Sequence, residues 1–256
     1  MLIHRAALFS AALALSLTGA IEASHAAEAK KIGLAVANLQ ANFFNQIKQS
    51  VEAYAGEKGI KVITVDAKGD AATQVSQVQD LLAQNIDALI YIPAGATAAA
   101  VPVKAARAAK IPVVNIDRNA AGAPGDTFIA TDSVTSARQV CEHIAKQAGG
   151  KGEMIIIHGQ KGTTPEVDRS KGCGEALAKN PDIKVVGELW SENWHQDEGF
   201  KLAADLLQAH PKVSIIFGQA DALALGAAQA VKVANLGHRI WAVSYTHLTL
   251  PTILRV

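Results

Sequence analysis

Short apolar runs alternate with amphipathic segments along the first half of the chain. Five runs have the apolar, β-branched character of buried parallel strands, at residues 32–37, 60–65, 88–92, 112–116 and 128–131. Between them, apolar side chains recur at helical spacing, at Phe44, Ile47, Val51 and Tyr54, then at Val75, Val78 and Leu82, and then in the alanine-rich segment 97–110. The pattern predicts five strands, three intervening helices and a glycine-containing loop at 119–126.

The alternation starts again at residue 132. It predicts helices at 132–147, 166–179, 196–210 and 221–234, and strands at 154–157, 184–189, 213–217 and 239–243. Strand–helix alternation of this kind is typical of parallel sheets covered by helices on both faces. The predicted fold class is therefore α/β, with two Rossmann-like domains at residues 30–131 and 132–243.

The first 26 residues resemble a secretory signal peptide. Arg5 supplies a basic start, residues 6–21 are uncharged and rich in alanine and leucine, and Ser24 and Ala26 place small side chains where a signal peptidase cuts. The apolar part is too short for a convincing membrane span, and no cysteine follows it that could carry a lipid anchor. We expect cleavage near Ala26 and export; an amphipathic organelle transit peptide is the alternative.

Composition and motifs exclude several classes of function. A net charge of +1 argues against nucleic acid as a partner. The eight histidines are scattered, and no His/Cys pattern has the spacing of a metal site. No dinucleotide-binding glycine motif or nucleophile elbow is present, and residues 159–164 have the wrong spacing for a phosphate loop. We therefore expect no catalytic residues, no cofactor and no metal.

An acid and a base stand side by side where the fourth predicted strand ends. Asp117 and Arg118 follow the run at residues 112–116. In open α/β sheets, ligands bind at the carboxyl ends of the strands. A carboxylate accepts hydroxyl protons and a guanidinium donates a rigid fork of N–H groups, so the pair could hold a polar, neutral molecule. The alternative is an ion pair that only orders a turn.

Six segments together resemble the periplasmic sugar-binding proteins of ABC importers, in the ribose-binding-protein group with the periplasmic binding protein type I fold. The resemblance extends from about residue 30 to residue 243. The matching segments are LQANFF at 39–44, IPVVNIDR at 111–118, ATDS at 130–133, DRSKG at 168–172, HPKVSIIF at 210–217 and ADALALGA at 220–227. This resemblance implies two domains that close on a sugar about a three-stranded hinge.

The resemblance also implies a set of ligand-binding residues. Phe43 and Phe44 match aromatic residues that cover one sugar face, and Trp194 matches the cover of the opposite face. Asp117 and Arg118 match the acid–base pair, and Arg169 matches a ligand arginine of the second domain. Each has a simpler alternative: core packing for the phenylalanines, a solvated helix position for Arg169, and packing under a loop for Trp194.

Three positions depart from the ribose-type pattern. Ala41, Ile92 and Ala220 stand where that pattern has asparagine, and each loses a hydrogen-bonding group. A missing partner for a buried hydroxyl costs about 1–3 kcal/mol, so a ribose pocket is not expected without compensation. Gln40 is the candidate for that compensation. Otherwise the ligand is a deoxy sugar, a polyol, or a different pentose or hexose.

The two cysteines, Cys141 and Cys173, fall on the predicted helices before and after the first strand of the second domain. Crossover handedness could place both helices on one face of the sheet, and an exported protein meets an oxidising environment. A disulfide and a pair of small buried apolar side chains remain equal alternatives.

The last residues do not continue the strand–helix rhythm. Residues 243–252 can be translated back to GTC TCT TAT ACA CAT CTG ACG CTG CCG ACG, which resembles a transposase-type sequencing adapter. We expect a C-terminally truncated chain whose tail, 244–256, is foreign and lies outside the fold; a natural divergent tail is the alternative. Such a chain would have an incomplete first domain and cavity, and resequencing the locus would test this.

The resemblance implies a periplasmic monomer with a sugar or polyol as ligand, an ABC-importer permease as membrane partner and a chemoreceptor as a further candidate partner. Two other classes share an α/β core. A LacI-type regulator would need a DNA-binding helix-turn-helix before the first strand, where the signal peptide stands. A secreted α/β enzyme would need a nucleophile, metal or cofactor loop, and we find none.

Overall fold

A computed structural model describes residues 29–236 and 240–244, and the backbone alone of 253–255. The predicted signal peptide lies outside these residues. The first half of the chain forms β1 (Lys31–Val36), α1 (Asn42–Glu57), β2 (Lys61–Asp66), α2 (Ala71–Ala83), β3 (Ala88–Tyr91), α3 (Ala100–Ala108), β4 (Val113–Ile116) and β5 (Thr127–Ile129). The second half forms α4 (Ser133–Gln147), β6 (Lys151–His158), α5 (Thr164–Leu177), β7 (Asp182–Trp190), α6 (Gln196–Ala209), β8 (Val213–Gly218), α7 (Asp221–Val233), β9 (Trp241–Ser244) and β10 (Ile253–Arg255).

The strands form two separate sheets. The first has the order β2-β1-β3-β4-β5 and is parallel throughout. The second has the order β10-β9-β8-β6-β7 and is parallel except for β10. We call the first sheet with α1–α3 the first lobe, and the second sheet with α4–α7 the second lobe. The predicted α/β class with two parallel sheets is confirmed.

Each sheet is buried between helices. In the first lobe one cluster lies around Leu81 and Val103 and another around Leu34 and Phe44. The second lobe likewise has one apolar cluster on each side of its sheet. Tyr54 was expected on the buried face of its helix but is 63% exposed, because Phe44 and Ala55 fill the buried face of α1. The Lys58 ammonium group lies 5.5 Å from the centroid of the Tyr54 ring.

Helices α4 and α5 lie against each other on one face of the second sheet. A Cβ at Gly172 would overlap the Val134 carbonyl, so glycine permits this close approach. The structure joins Cys141 on α4 to Cys173 on α5 by a disulfide, with the two Cα atoms 5.2 Å apart. That separation lies within the range a disulfide can span.

The C-terminal residues differ from the expectation that everything from Ser244 onward lies outside the fold. Ser244 is the last residue of β9, is buried and hydrogen-bonds to the Asp221 carboxylate. The backbone of Ile253–Arg255 pairs antiparallel with β9. The physical reason is that β9 would otherwise be an edge strand with unpaired N–H and C=O groups, which pair readily with any extended segment.

Candidate functional site

A cavity of about 520 Å³ lies between the two lobes, at the carboxyl ends of several strands. Its walls come from the loop after β1 and the start of α1, the turn after β4, and the starts of α5, α6 and α7. It is lined by every residue that the sequence resemblance implied as a ligand contact, namely Phe43, Phe44, Asp117, Arg118, Arg169 and Trp194, and by the compensating candidate Gln40. The lobes touch beside it, where the Asn119 N–H donates to the Thr164 hydroxyl at 2.9 Å.

A tight turn presents the acid–base pair. The Arg118 N–H donates to the Ile116 carbonyl at 2.6 Å, closing a three-residue γ-turn around Asp117, whose φ is +61°. Positive φ is uncommon for a non-glycine residue and persists only where the surrounding structure imposes it. The two side chains differ in burial: Arg118 is 4% exposed, while Asp117 is only partly buried.

Arg118 connects the lobes. Its Nη1 donates to the carbonyls of Pro93 at 3.0 Å and Ala94 at 3.2 Å, and to Gln160 Oε1 in the second lobe at 3.0 Å. Its Nε lies 3.7 Å from Asp117 Oδ2. Burial lowers the pKa of Arg118 to about 10, and the Asp117 carboxylate opposes that shift while Arg169 adds to it. The guanidinium therefore stays charged at neutral pH.

Aromatic rings cover the cavity from both lobes. The centroids of Phe43 and Phe44 are 5.3 Å apart at the start of α1. Phe44 is 5% exposed and packs in the first-lobe core, as the core-packing alternative expects. It also lines the cavity. Trp194 enters from the second lobe, with the Arg118 and Arg169 guanidinium carbons 5.9 Å and 5.5 Å from its ring centroid.

Two features of the second lobe hold Trp194 in place. Its φ is +64°, and its N–H donates to the Ser191 hydroxyl at 3.2 Å. The far edge of its indole lies directly on Gly159, where a Cβ would overlap the ring. Glycine at 159 is therefore required for the observed position of the indole.

We expect Gly159→Ala to displace the Trp194 ring from the cavity wall, because the added methyl group occupies its space. Trp194 fluorescence should change its emission maximum and become more accessible to an aqueous quencher. Gly174→Ala is the matched control, since a Cβ there meets nothing within 4 Å. Unchanged emission and quenching in the Gly159 variant would contradict the role of this contact.

A buried polar network supports Arg169. The Arg169 Nη1 donates to the Gln219 carbonyl at 2.6 Å. The Gln219 side chain accepts from the Gly159 N–H at 3.0 Å, donates to the Ser170 hydroxyl at 2.9 Å and lies 3.0 Å from His158 Nδ1. Gln219 thus ties the position of Arg169 to the segment under Trp194.

His158 is the titratable centre of this network. It stacks on Trp190 with ring centroids 4.5 Å apart, and Glu166 and Glu188 each lie 3.6 Å from one of its ring nitrogens. Burial lowers the pKa of His158, and the two carboxylates oppose that shift only in part. His158 is therefore uncharged at physiological pH.

This lowered pKa predicts a loss of stability in mild acid. The ordinary pKa of histidine is about 6.5, so below that pH His158 binds a proton in the unfolded chain but not yet in the folded protein. As the pH is lowered from about 6.5 to the folded-state pKa, the free energy of unfolding should therefore fall. Urea unfolding between pH 8 and pH 5 measures it. His158→Gln should reduce the change in the free energy of unfolding with pH, and His143→Gln should not. The same pH dependence in both variants would contradict the prediction.

The sequence reasoning missed several cavity residues. His195, Gln196, Asp221 and Ala222 line the wall at the starts of α6 and α7, and Asn42, Gln46 and Pro165 line the remainder. Each of these residues follows the end of a strand along the chain, and this position is the feature of the sequence that could have identified them. Of the three positions that depart from the ribose-type pattern, Ala41 and Ala220 line the cavity, whereas Ile92 is fully buried in the first-lobe core.

Among residues 29–236 and 240–244, no group of three or more His, Cys, Asp and Glu side chains is arranged to hold a metal ion. In the same part of the chain, no helix is both long enough and apolar enough to cross a membrane.

Comparisons with known proteins agree with this arrangement. A family model for the periplasmic binding protein domain matches residues 32–251. The chain is 34% identical over 200 residues to the ribose import binding protein of Bacillus subtilis and 32% identical over 226 residues to the xylitol-binding protein of Mycolicibacterium smegmatis. These matches cover 78% and 87% of this chain but only 65% and 64% of the two relatives.

A solved structure gives the same result. An ABC-transporter solute-binding protein from Mycobacterium smegmatis with bound glycerol superposes with a TM-score of 0.78, at 29% identity, covering 82% of this chain and 73% of that protein. The family is one of binding proteins, in agreement with the prediction that the chain is not an enzyme. The matched residues include β2 to β9, all but the first residue of β1 and every residue that lines the cavity, and the chain therefore belongs to the periplasmic binding protein family.

Proposed function

We propose that this chain is an exported solute-binding protein that binds a sugar or sugar-like polyol and delivers it to an ABC importer. The observation that carries the proposal is the composition of the interlobe cavity. Aromatic rings from both lobes face a space that also contains Asp117, Arg118 and Arg169. Rings pack on the C–H faces of a sugar, and charged groups make the stronger hydrogen bonds to its hydroxyls.

The relatives support this class of ligand. Two are named for ribose import and for xylitol binding, and the structural neighbour holds glycerol. Ala41 and Ala220 make part of the wall apolar where the ribose-type pattern has amides. This wall favours a ligand with fewer or differently placed hydroxyls than ribose, such as a deoxy sugar or a polyol, with Gln40 as a compensating polar group.

We propose closure of the two lobes as the binding motion. The cavity lies between the lobes, which are joined by polar contacts such as that between Arg118 and Gln160. A ligand that contacts both walls binds the closed form better than the open form and shifts the population toward it. The proposed domains are residues 30–131 and 132–243, acting as a monomer in the periplasm that docks on a permease, with a chemoreceptor as a second candidate partner.

A thermal-shift screen of the full-length gene product with sugars and polyols tests the proposal. A ligand at a hundred times its Kd stabilises the folded state by about 2.7 kcal/mol, which is readily measured as a rise in Tm. The probes include D-ribose, xylitol, L-arabinose, myo-inositol and 6-deoxy sugars, with L-leucine as the control of another ligand class. A folded protein whose Tm no sugar or polyol raises would contradict the proposed function.

A further inference from the structure

Gln219 is bonded to two parts of the second-lobe wall at once. Its backbone carbonyl accepts from Arg169 Nη1 at 2.6 Å, and its side-chain Oε1 accepts from the Gly159 N–H at 3.0 Å. The indole of Trp194 lies directly on Gly159. Gln219 itself is fully buried and is not among the residues that line the cavity, whereas Arg169 and Trp194 are. Its influence on the cavity therefore passes through those two side chains.

The bond to Gly159 fixes which end of the Gln219 amide faces His158. A backbone N–H donates to the amide oxygen, so the amide nitrogen lies at the other end, where it can only donate. Gln219 Nε2 lies 3.0 Å from His158 Nδ1 and 2.9 Å from the Ser170 hydroxyl. Nδ1 therefore accepts in this contact, as an imidazole with its proton on Nε2 does.

Protonation of His158 would break this contact. An imidazolium carries a hydrogen on both nitrogens, so a second donor would face the Gln219 amide nitrogen across 3.0 Å. Two facing donors in a buried position cost free energy, and turning the amide over would place its nitrogen against the Gly159 N–H instead. The Gln219 side chain is therefore displaced when the ring is charged, and the change reaches Arg169 through its bond to the same residue.

Two carboxylates can accept from the charged ring. Glu166 on α5 and Glu188 on β7 each have an oxygen 3.6 Å from one ring nitrogen of His158. The Lys161 ammonium group lies 4.8 Å from the centroid of the Trp190 ring, which stacks on His158. Burial lowers the pKa of His158 and the carboxylates oppose this shift only in part, so the ring becomes charged below the usual histidine range.

We propose that Gln219 and His158 are positioning residues for Arg169 and Trp194, and that they make ligand affinity depend on pH. With a neutral ring, Gln219 holds both cavity side chains in their binding positions. With a charged ring, Gln219 is displaced, both side chains lose this support, and the sugar or polyol binds more weakly. The proposal rests on the proposed function and adds a regulation of the same site.

The direction of the effect follows from the linkage between proton and ligand. The bound form keeps Gln219 in place, so it resists protonation of His158 more than the free form does. Kd should be lowest above about pH 6.5 and should rise as the pH falls through the pKa of His158 in the free protein. We expect about three- to tenfold weaker binding in acid, which corresponds to a pKa of His158 lower by about 0.5 to 1 in the bound form.

The displacement can be measured without any ligand. In ¹⁵N spectra of the 256-residue chain, the guanidinium protons of Arg169 should exchange with water faster at pH 5.5 than at pH 7.5, because their bond to Gln219 is lost. Guanidinium protons whose bonding does not change show the opposite order, since hydroxide catalyses their exchange. His158→Gln should restore that opposite order, and His143→Gln should not. Slower exchange in acid in the unaltered chain would overturn the proposal.

The effect on affinity is measured by isothermal titration of the full-length gene product. The probe is D-ribose or xylitol, whichever binds more tightly at pH 7.5. Its Kd should be about three- to tenfold weaker at pH 5.5, or at the lowest pH where circular dichroism shows a folded protein. His158→Gln should have nearly the same Kd at both pH values, whereas His143→Gln should keep the change. An equal Kd at both pH values in the unaltered protein, or a full pH dependence in His158→Gln, would overturn the proposal.

A second variant tests whether the proton acts through Gln219. Gln219→Leu has no amide, so His158 can gain its proton without meeting a donor, and the support of Gly159 is lost at every pH. Its Kd should be close to the acid value of the unaltered protein at both pH values, and a pH dependence as large as that of the unaltered protein would overturn the proposal. If this buried variant does not fold, His158→Gln alone decides.

The same titrations separate the two levels of the assignment. Binding of a sugar or polyol with a Kd that does not depend on pH overturns this proposal and leaves the proposed function standing. Binding of no sugar or polyol at either pH overturns the proposed function and this proposal with it.

Discussion

Replacing Arg118 by alanine in the full-length protein should weaken sugar or polyol binding by at least tenfold, equivalent to about 1.4 kcal/mol. The guanidinium contacts both lobes. It bonds to the Pro93 and Ala94 carbonyls in one lobe and to Gln160 in the other, and it lies 5.2 Å from the Phe44 ring centroid. Its loss removes a charged donor from the cavity and an interlobe contact together.

Isothermal titration with the best probe from the thermal-shift screen measures the change. Arg107→Ala is the matched control, because Arg107 is also a first-lobe arginine paired with an aspartate, but at an exposed surface away from the cavity. Arg118→Lys keeps the charge but loses the planar fork, so it should restore affinity only in part. An Arg118→Ala protein that is folded and has an unchanged Kd would contradict the assignment.

Much of the fold follows from the sequence because burial on both faces leaves a clear pattern. The run at residues 112–116 was expected as a strand and forms Val113–Ile116, since its branched apolar side chains pack on helices on each side. Element ends were less predictable. The alanine-rich helix expected at 97–110 is only Ala100–Ala108, because alanine has no capping side chain to fix either end.

Position along the chain could identify the strand-end residues of the site but not their geometry. Asp117 and Arg118 were predicted because they follow a strand, yet the pattern of apolar and polar residues did not predict the γ-turn that gives Asp117 its positive φ. Gln219 was missed because its role depends on a backbone carbonyl and on contacts 49 to 61 residues away in the chain. Only the folded chain brings these groups together.

The strained residues of the site have a common physical explanation. Asp117 and Trp194 stand on opposite lobes, and each has a positive φ without being glycine. Each conformation costs about 1–3 kcal/mol and persists only where surrounding contacts impose it. For Asp117 these contacts include the bond from its N–H to the Ile129 carbonyl at 2.9 Å, and for Trp194 the bond from its N–H to the Ser191 hydroxyl at 3.2 Å.

Breaking the disulfide between Cys141 and Cys173 should lower the free energy of unfolding by about 3–4 kcal/mol. The bond closes a loop with a sequence separation of 32 residues that contains β6, the strand between β7 and β8 in the second sheet. Without the bond, the unfolded chain gains conformational freedom, while folded α4 and α5 remain packed through Gly172 and their shared apolar cluster. The effect should therefore be on stability rather than on the shape of the site.

Urea unfolding of the oxidised protein, the reduced protein and the Cys141→Ala/Cys173→Ala variant measures this difference. Both sulfur atoms lie in the core, so the reduced protein isolates the effect of the bond, and the alanine variant adds only the loss of two small buried groups. Thiol titration of the unfolded, non-reduced protein should detect no free thiol, and reduction should release two. Two free thiols before reduction, or equal midpoints for the oxidised and reduced proteins, would contradict the prediction.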